Sequence, residues 1–212
     1  MRTRGSALVS VILVLLVLTI VGVGIAYFTS MEDRLSGNTR IAKAGFYAAD
    51  AGLRRGEALL NKIITMPAVP CAPPTLSQIL AARTPPTLKV PGGGYDARIL
   101  DFSTFNATVP CLGTDAQAFA NVSIPAPAAV SVVDRVTYSL YLRNNVDDPT
   151  GTDVTDLDSV VNLISVGTVQ LATGLTVTKI VEEQLLLSSG CGSNNPQKGL
   201  GPGGGNVVGG CT

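Results

Sequence analysis

Two sets of residues have the types and spacing for chemistry beyond packing. Asp147, Asp148, Asp153, Asp156 and Asp158 place five carboxylates in twelve positions of one connector, NNVDDPTGTDVTDLDS. Hard cations such as calcium favour clustered oxygen ligands. The spacing is not that of an EF-hand loop, so the two readings are a calcium site and a solvated polar turn. The second set is Cys71, Cys111, Cys191 and Cys211. None has the C-x-x-C spacing of a zinc or redox site, and four cysteines allow three pairings. Cys71–Cys111 and Cys191–Cys211 is the preferred pairing, because each bridge closes a local loop. The alternative is buried free thiols.

Other chemistries find little material. The chain has no His, which removes the commonest general base and a leading metal ligand. The G-x-S-x-G, S-x-x-K, H-E-x-x-H and P-loop patterns are missing from the sequence. The expectation is a protein that is not an enzyme and requires no cofactor, with calcium the one candidate ligand. Lys+Arg and Asp+Glu are equal at 15 each. A near-neutral chain does not point to nucleic acid as a specific partner. Asn106-Ala107-Thr108 and Asn121-Val122-Ser123 match the N-glycosylation triplet, a pattern common by chance.

The elements that position these residues begin with a membrane segment. Ser6 to Ser30 contains no charged residue, and a bilayer core needs roughly 20 apolar residues as helix. Leu8 to Phe28 supplies that length. The stretch is longer than a secretory signal's apolar region, and Met31-Glu32-Asp33-Arg34 after it offers no small-residue cleavage site. Arg2 and Arg4 precede it, which predicts a cytoplasmic N-terminus. From Met31 to Thr65 the pattern stays helical, with Asp50 and Arg54 as an i,i+4 pair. Ala44, Ala48, Gly52 and Gly56 put four small side chains on one helix face. That face serves either close contact with neighbouring helices or seating under the protein's own sheet. Gly22 and Gly24 weaken helix inside the span, though glycine is common in membrane helices.

Residues 67–94 are rich in proline and glycine and read as a loop pinned by Cys71, holding one short helix over Thr75–Arg83 with a Thr or Ser cap. Strand patterns follow at Tyr95–Ser103, Ala118–Ile124, Arg135–Asn144, Ser159–Gly167 and Thr176–Leu187. In the third, Val136, Tyr138, Leu140 and Leu142 share one face. An antiparallel meander with one face on the long helix satisfies both apolar surfaces. The Gly-rich stretch from Gly190 cannot build a core; it is either a surface for neighbours or an inert end.

The first 60 residues carry a family resemblance. Arg4-Gly5, the apolar span, Glu32-Asp33-Arg34, Gly37-Asn38-Thr39-Arg40, Phe46-Tyr47-Ala48-Ala49-Asp50-Ala51 and Leu53-Arg54-Arg55-Gly56-Glu57 resemble, in order and spacing, the N-terminal region of PilX-type minor pilins of type IV pili. The resemblance implies an α+β, pilin-like fold. A long N-terminal α-helix, its first half transmembrane, packs on an antiparallel β-sheet head. It implies residues 1–5 as a prepilin leader, 6–30 as the transmembrane and filament-core helix and 31–65 as its amphipathic continuation. Residues 66–189 then form the β-rich head and 190–212 a C-terminal loop. Prepilin peptidase would cut between Gly5 and Ser6, and Ser6 would be N-methylated. Most type IV pilins have glutamate as the fifth mature residue; here it is Ser10, which favours a minor subunit. The implied partners are other pilins, major and minor, prepilin peptidase, and the inner membrane before assembly. The implied destination is an extracellular pilus or a periplasmic pseudopilus. A type II secretion pseudopilin and an uncleaved, signal-anchored binding module are the alternatives.

Overall fold

The computed structural model describes residues 4–66, 71–89, 94–105, 110–125, 133–145, 152–187 and 206–208. Its contacts divide the chain into two units, Met1–Ala42 and Lys43–Thr212. Helix α1, Arg4–Thr65, contributes to both. In the first unit it is the whole of the described structure.

Among the described residues of the second unit, residues 43–65 of α1 lie against a seven-stranded sheet. The strands are β1 (Thr84–Leu88), β2 (Ala97–Ile99), β3 (Val122–Ile124), β4 (Val133–Asn144), β5 (Val160–Leu171), β6 (Thr176–Leu187) and β7 (Asn206–Val208). The sheet order is β1-β2-β4-β5-β6-β7, with β3 pairing the other end of the β4 edge. All pairings are antiparallel except β6 with β7, which is parallel. This is the expected α+β arrangement of a long helix on an antiparallel sheet.

β4, β5 and β6 form the meander that the alternating sequences call for. Twelve residues each, they pair along nearly their full lengths. Tyr138, Leu140 and Leu142 of β4 point to the helix side, with Val161, Leu163 and Val169 of β5. Leu53, Leu59, Leu60 and Ile63 of α1 are buried against them. Each such side chain contributes about 1.5–3 kcal/mol on burial, enough together to hold this segment of the helix. Phe102 and Phe119 close one end of the core edge to face, centroids 6.3 Å apart.

Helix α2, Leu76–Ala82, matches the short helix expected before Arg83. Thr75 caps it: Gln78 N–H donates to the Thr75 hydroxyl at 3.3 Å, and Thr75 N–H donates to Gln78 Oε1 at 2.8 Å. That reciprocal pair satisfies two otherwise orphaned donors. Ile79 and Leu80 bury its inner face.

Several boundaries differ from expectation. The proline-rich stretch is not all loop, because Thr84–Leu88 forms β1 along β2. β2 and β3 are shorter than their patterns suggested, and between them Asp101 and Ala118 make a single bridge. β5 runs on to Leu171. The Gly-rich end is more than a loop: its Asn206–Val208 adds β7 to the sheet.

Candidate functional site

The first unit presents apolar surface without a cover. From Leu8 to Phe28 the large apolar side chains are each 49–71% exposed. Such a continuous patch marks an interaction surface or a membrane surface. The helix is long and apolar enough to cross a bilayer. A helix meets its backbone hydrogen-bond needs internally, which hydrocarbon demands. The hydroxyls do likewise: Thr19 donates to Leu16 O at 2.8 Å, Thr29 to Ile25 O at 3.0 Å and Thr39 to Leu35 O at 2.9 Å. Gly5 and Ser6, the expected cleavage position, lie in the first turn of α1.

The second unit shows what the small-residue face of α1 touches. A Cβ on Gly52 would lie 2.4 Å from Ser165 Oγ and 2.7 Å from the Tyr138 ring. One on Gly56 would lie 2.7 Å from a Leu163 methyl. Ala48 and Ala49 are buried. The contact face therefore lies under the protein's own sheet at these positions. Its first member is Gly45, which is buried, whereas Ala44 is only half-buried. The sheet answers with a glycine of its own. A Cβ on Gly167 of β5 would lie 2.2 Å from Gly45 O and 2.5 Å from Ala49 N. Gly167 escaped sequence reasoning; a glycine inside a β-branched strand was the one available signal, since it marks close backbone approach.

An ion-pair clamp fixes one flank of the same helix segment. Asp115 is almost fully buried, and its two carboxylate oxygens accept from Arg55 and from Lys62, the latter at 2.8 Å. Arg55 and Lys62 are two turns apart and so share a flank. The Cys71–Cys111 disulfide, Cα atoms 5.4 Å apart, holds the turn Pro110–Asp115 that carries Asp115. This is the bridge preferred from the sequence. Cys191 and Cys211 lie outside the described residues.

The acidic connector is built into the head's own hydrogen bonding. Arg83 has a fully buried side chain that donates to Leu80 O, Leu142 O and Asp153 O, and to Asp153 Oδ1 at 3.0 Å. Burial pushes its pKa down, and Asp153 opposes that shift. Arg98 reaches the other Asp153 oxygen at 3.5 Å. Asp158 accepts from Asn145 Nδ2 at 2.7 Å and from Val160 N–H. Asp156 accepts from Ser159 N–H at 3.0 Å. Asp147 and Asp148 lie outside the described residues. Among the described residues no three His, Cys, Asp or Glu side chains gather in a metal-binding group.

An uncovered apolar helix followed by a helix seated on a head is what the N-terminal resemblance implies. Comparison with known families matches the PilX N-terminal family over residues 4–54. The chain has a PilX-type pilin N-terminus. The match runs through the uncovered segment and ends at Arg54, within the stretch that seats on the sheet. Comparison with curated proteins and with solved structures finds no match. A PilX-type N-terminus gives the chain a type IV pilin-related role, which implies a structural protein that associates with other pilins. The apolar helix and the family agree with membrane anchoring and a place in an extracellular pilus.

Proposed function

We propose that this chain is a minor pilin, a structural subunit of a type IV pilus or related filament. Before assembly it sits in the inner membrane as a single-pass protein with a cytoplasmic N-terminus. Prepilin peptidase removes Met1–Gly5 and Ser6 is N-methylated. The mature helix then leaves the bilayer to pack among the helices of other pilins, and the head takes part in pilus assembly, adhesion or motility.

The observation that carries this reading is the coincidence of the PilX match with the uncovered, uncharged apolar surface of α1. That surface needs hydrocarbon or other apolar helices around it. Ser10 at the fifth mature position supports a minor role. It offers no carboxylate to a neighbour's N-terminal amine, and a carboxylate buried there is stable only when paired.

The test is the mass of the N-terminal peptide from protein isolated from its own cells. A chain beginning at N-methylated Ser6 is expected. A chain that keeps Met1–Gly5 and does not co-purify with other pilins overturns the proposal in favour of an uncleaved, membrane-anchored binding module.

A further inference from the structure

The Asp115 clamp and the Cys71–Cys111 disulfide are two links of one ring. The ring runs along α1 from Arg55, through Lys62, to the end of the helix at Thr65. Cys71 lies nine residues beyond Lys62. The disulfide crosses to Cys111, and Asp115 stands four residues further on, in the same turn. Its carboxylate accepts from Arg55 and Lys62 and so closes the ring. One link is covalent and the other is ionic.

The ionic link is weak on its own. The Asp115 side chain is 9% exposed, whereas those of Arg55 and Lys62 are 49% and 45% exposed. Water competes for both cations, and holding two long side chains in one geometry costs rotamer freedom. The carboxylate has lost most of its hydration and needs its partners. Such a contact depends on how closely the turn is held to the helix. Along the chain, Lys62 and Asp115 are 53 residues apart. Through the disulfide the path is about thirteen residues, which lowers the entropy cost of bringing its ends together.

Other contacts hold the turn from its far side. Gln117 O accepts from Phe102 N–H at 3.0 Å, Asp101 bridges Ala118, and Phe119 is buried. Before Asp115, Leu112 is buried in the core, and that packing is non-directional. Gly113 stands between them with φ +56, a conformation that glycine adopts freely. The disulfide is the covalent link that ties this turn to the chain leaving α1.

We propose that the disulfide and the clamp form one redox-gated lock on α1. Oxidation of Cys71 and Cys111 sets Asp115 against the helix flank, and reduction releases it. By thiol–disulfide exchange the two thiols give two electrons and two protons to a disulfide oxidant, which leaves as a pair of thiols; a dithiol reductant reverses the step. The coupling is reciprocal, so the clamp in turn favours the oxidised pair. Given the function proposed above, the lock closes only once the head has crossed the inner membrane into a compartment where disulfides form; the lock itself does not depend on that reading.

The experiment is a double-mutant cycle on the full chain in detergent micelles: wild type, Asp115→Asn, Cys71→Ser with Cys111→Ser, and all three substitutions together. Asp115→Asn is expected to lower the Tm by about 2–4 °C in the disulfide-bonded chain and by less than half of that in the serine background. Equal losses in the two backgrounds overturn the proposal. A redox titration reads the same coupling without the serine variants. The wild type, Asp115→Asn and Glu182→Gln are equilibrated in graded mixtures of reduced and oxidised dithiothreitol, and Cys71 and Cys111 are followed by alkylation and peptide mass. Asp115→Asn should reach half reduction at a ratio of reduced to oxidised reagent about two- to fivefold below that of the wild type. Glu182→Gln, which removes the Arg143 pair elsewhere on the sheet, should keep the wild-type midpoint. An unchanged midpoint in Asp115→Asn, or an equal shift in Glu182→Gln, overturns the lock. Neither readout depends on cleavage of the leader, so the lock and the pilin reading can fail separately.

Discussion

The two parts of α1 use glycine in opposite ways. In the first unit, Gly22, Gly24 and Gly37 have open space where a Cβ would sit. In the second, Gly45, Gly52 and Gly56 are crowded by the sheet, and Gly167 is crowded by the helix. The family match spans both kinds, from residue 4 to residue 54. Spacing alone does not distinguish a face kept small for other molecules from one kept small for the chain's own sheet. The lesson is that a small-residue stripe acquires its meaning from what lies opposite it.

Substitution by alanine separates the two uses. Gly167→Ala should have the largest effect, because the new methyl meets backbone atoms that cannot rotate away. We expect a loss of about 3 kcal/mol, read as a lowered denaturation midpoint of the full chain in micelles. Gly52→Ala comes next, at about 1–3 kcal/mol, since Tyr138 and Ser165 can shift only in part. Asp115→Asn should cost about 1 kcal/mol. Its partners Arg55 and Lys62 are half exposed, which screens what a buried pair would otherwise contribute. Gly22→Ala should leave head melting within about 0.5 kcal/mol of the wild type. A loss at Gly22 as large as that at Gly52 would end the contrast.

Calcium at the acidic connector is the smallest expected effect. Asp153 already binds Arg83 and Arg98, so a cation using it must displace them. Asp153→Ala should lower the Tm with or without calcium, by exposing the need of buried Arg83 for a partner. A calcium-induced rise in wild-type Tm that Asp153→Ala and Asp156→Ala together abolish would instead establish the connector as a site.

Local chemistry in the sequence accounts for much of the fold. The uncharged span, the helical run to Thr65, the Thr75 cap and the meander of β4, β5 and β6 all follow from periodicity and capping. The Cys71–Cys111 bridge follows from loop length. What the sequence hid depends on partners far along the chain. Asp115 is an ordinary loop residue until α1 brings Arg55 and Lys62 to it. Arg83 enters the sequence reading only as the end of a short helix, yet it is buried because three carbonyls and Asp153 converge on it. A strict period of four puts Ala44 in the small face where the structure buries Gly45, because that period drifts from the 3.6-residue turn. β1 stands where Pro85 and Pro86 predict loop, because proline is tolerated at the margin of a sheet.

Those two prolines bear on how heads behave when crowded side by side. Among the described residues β1 is the last strand on its side of the sheet, where a bare ladder of backbone donors would invite another chain's strand to join. Proline offers no N–H, so two of the five residues of β1 have none to give. Copies of the head brought close together are thereby discouraged from fusing edge to edge into a runaway sheet.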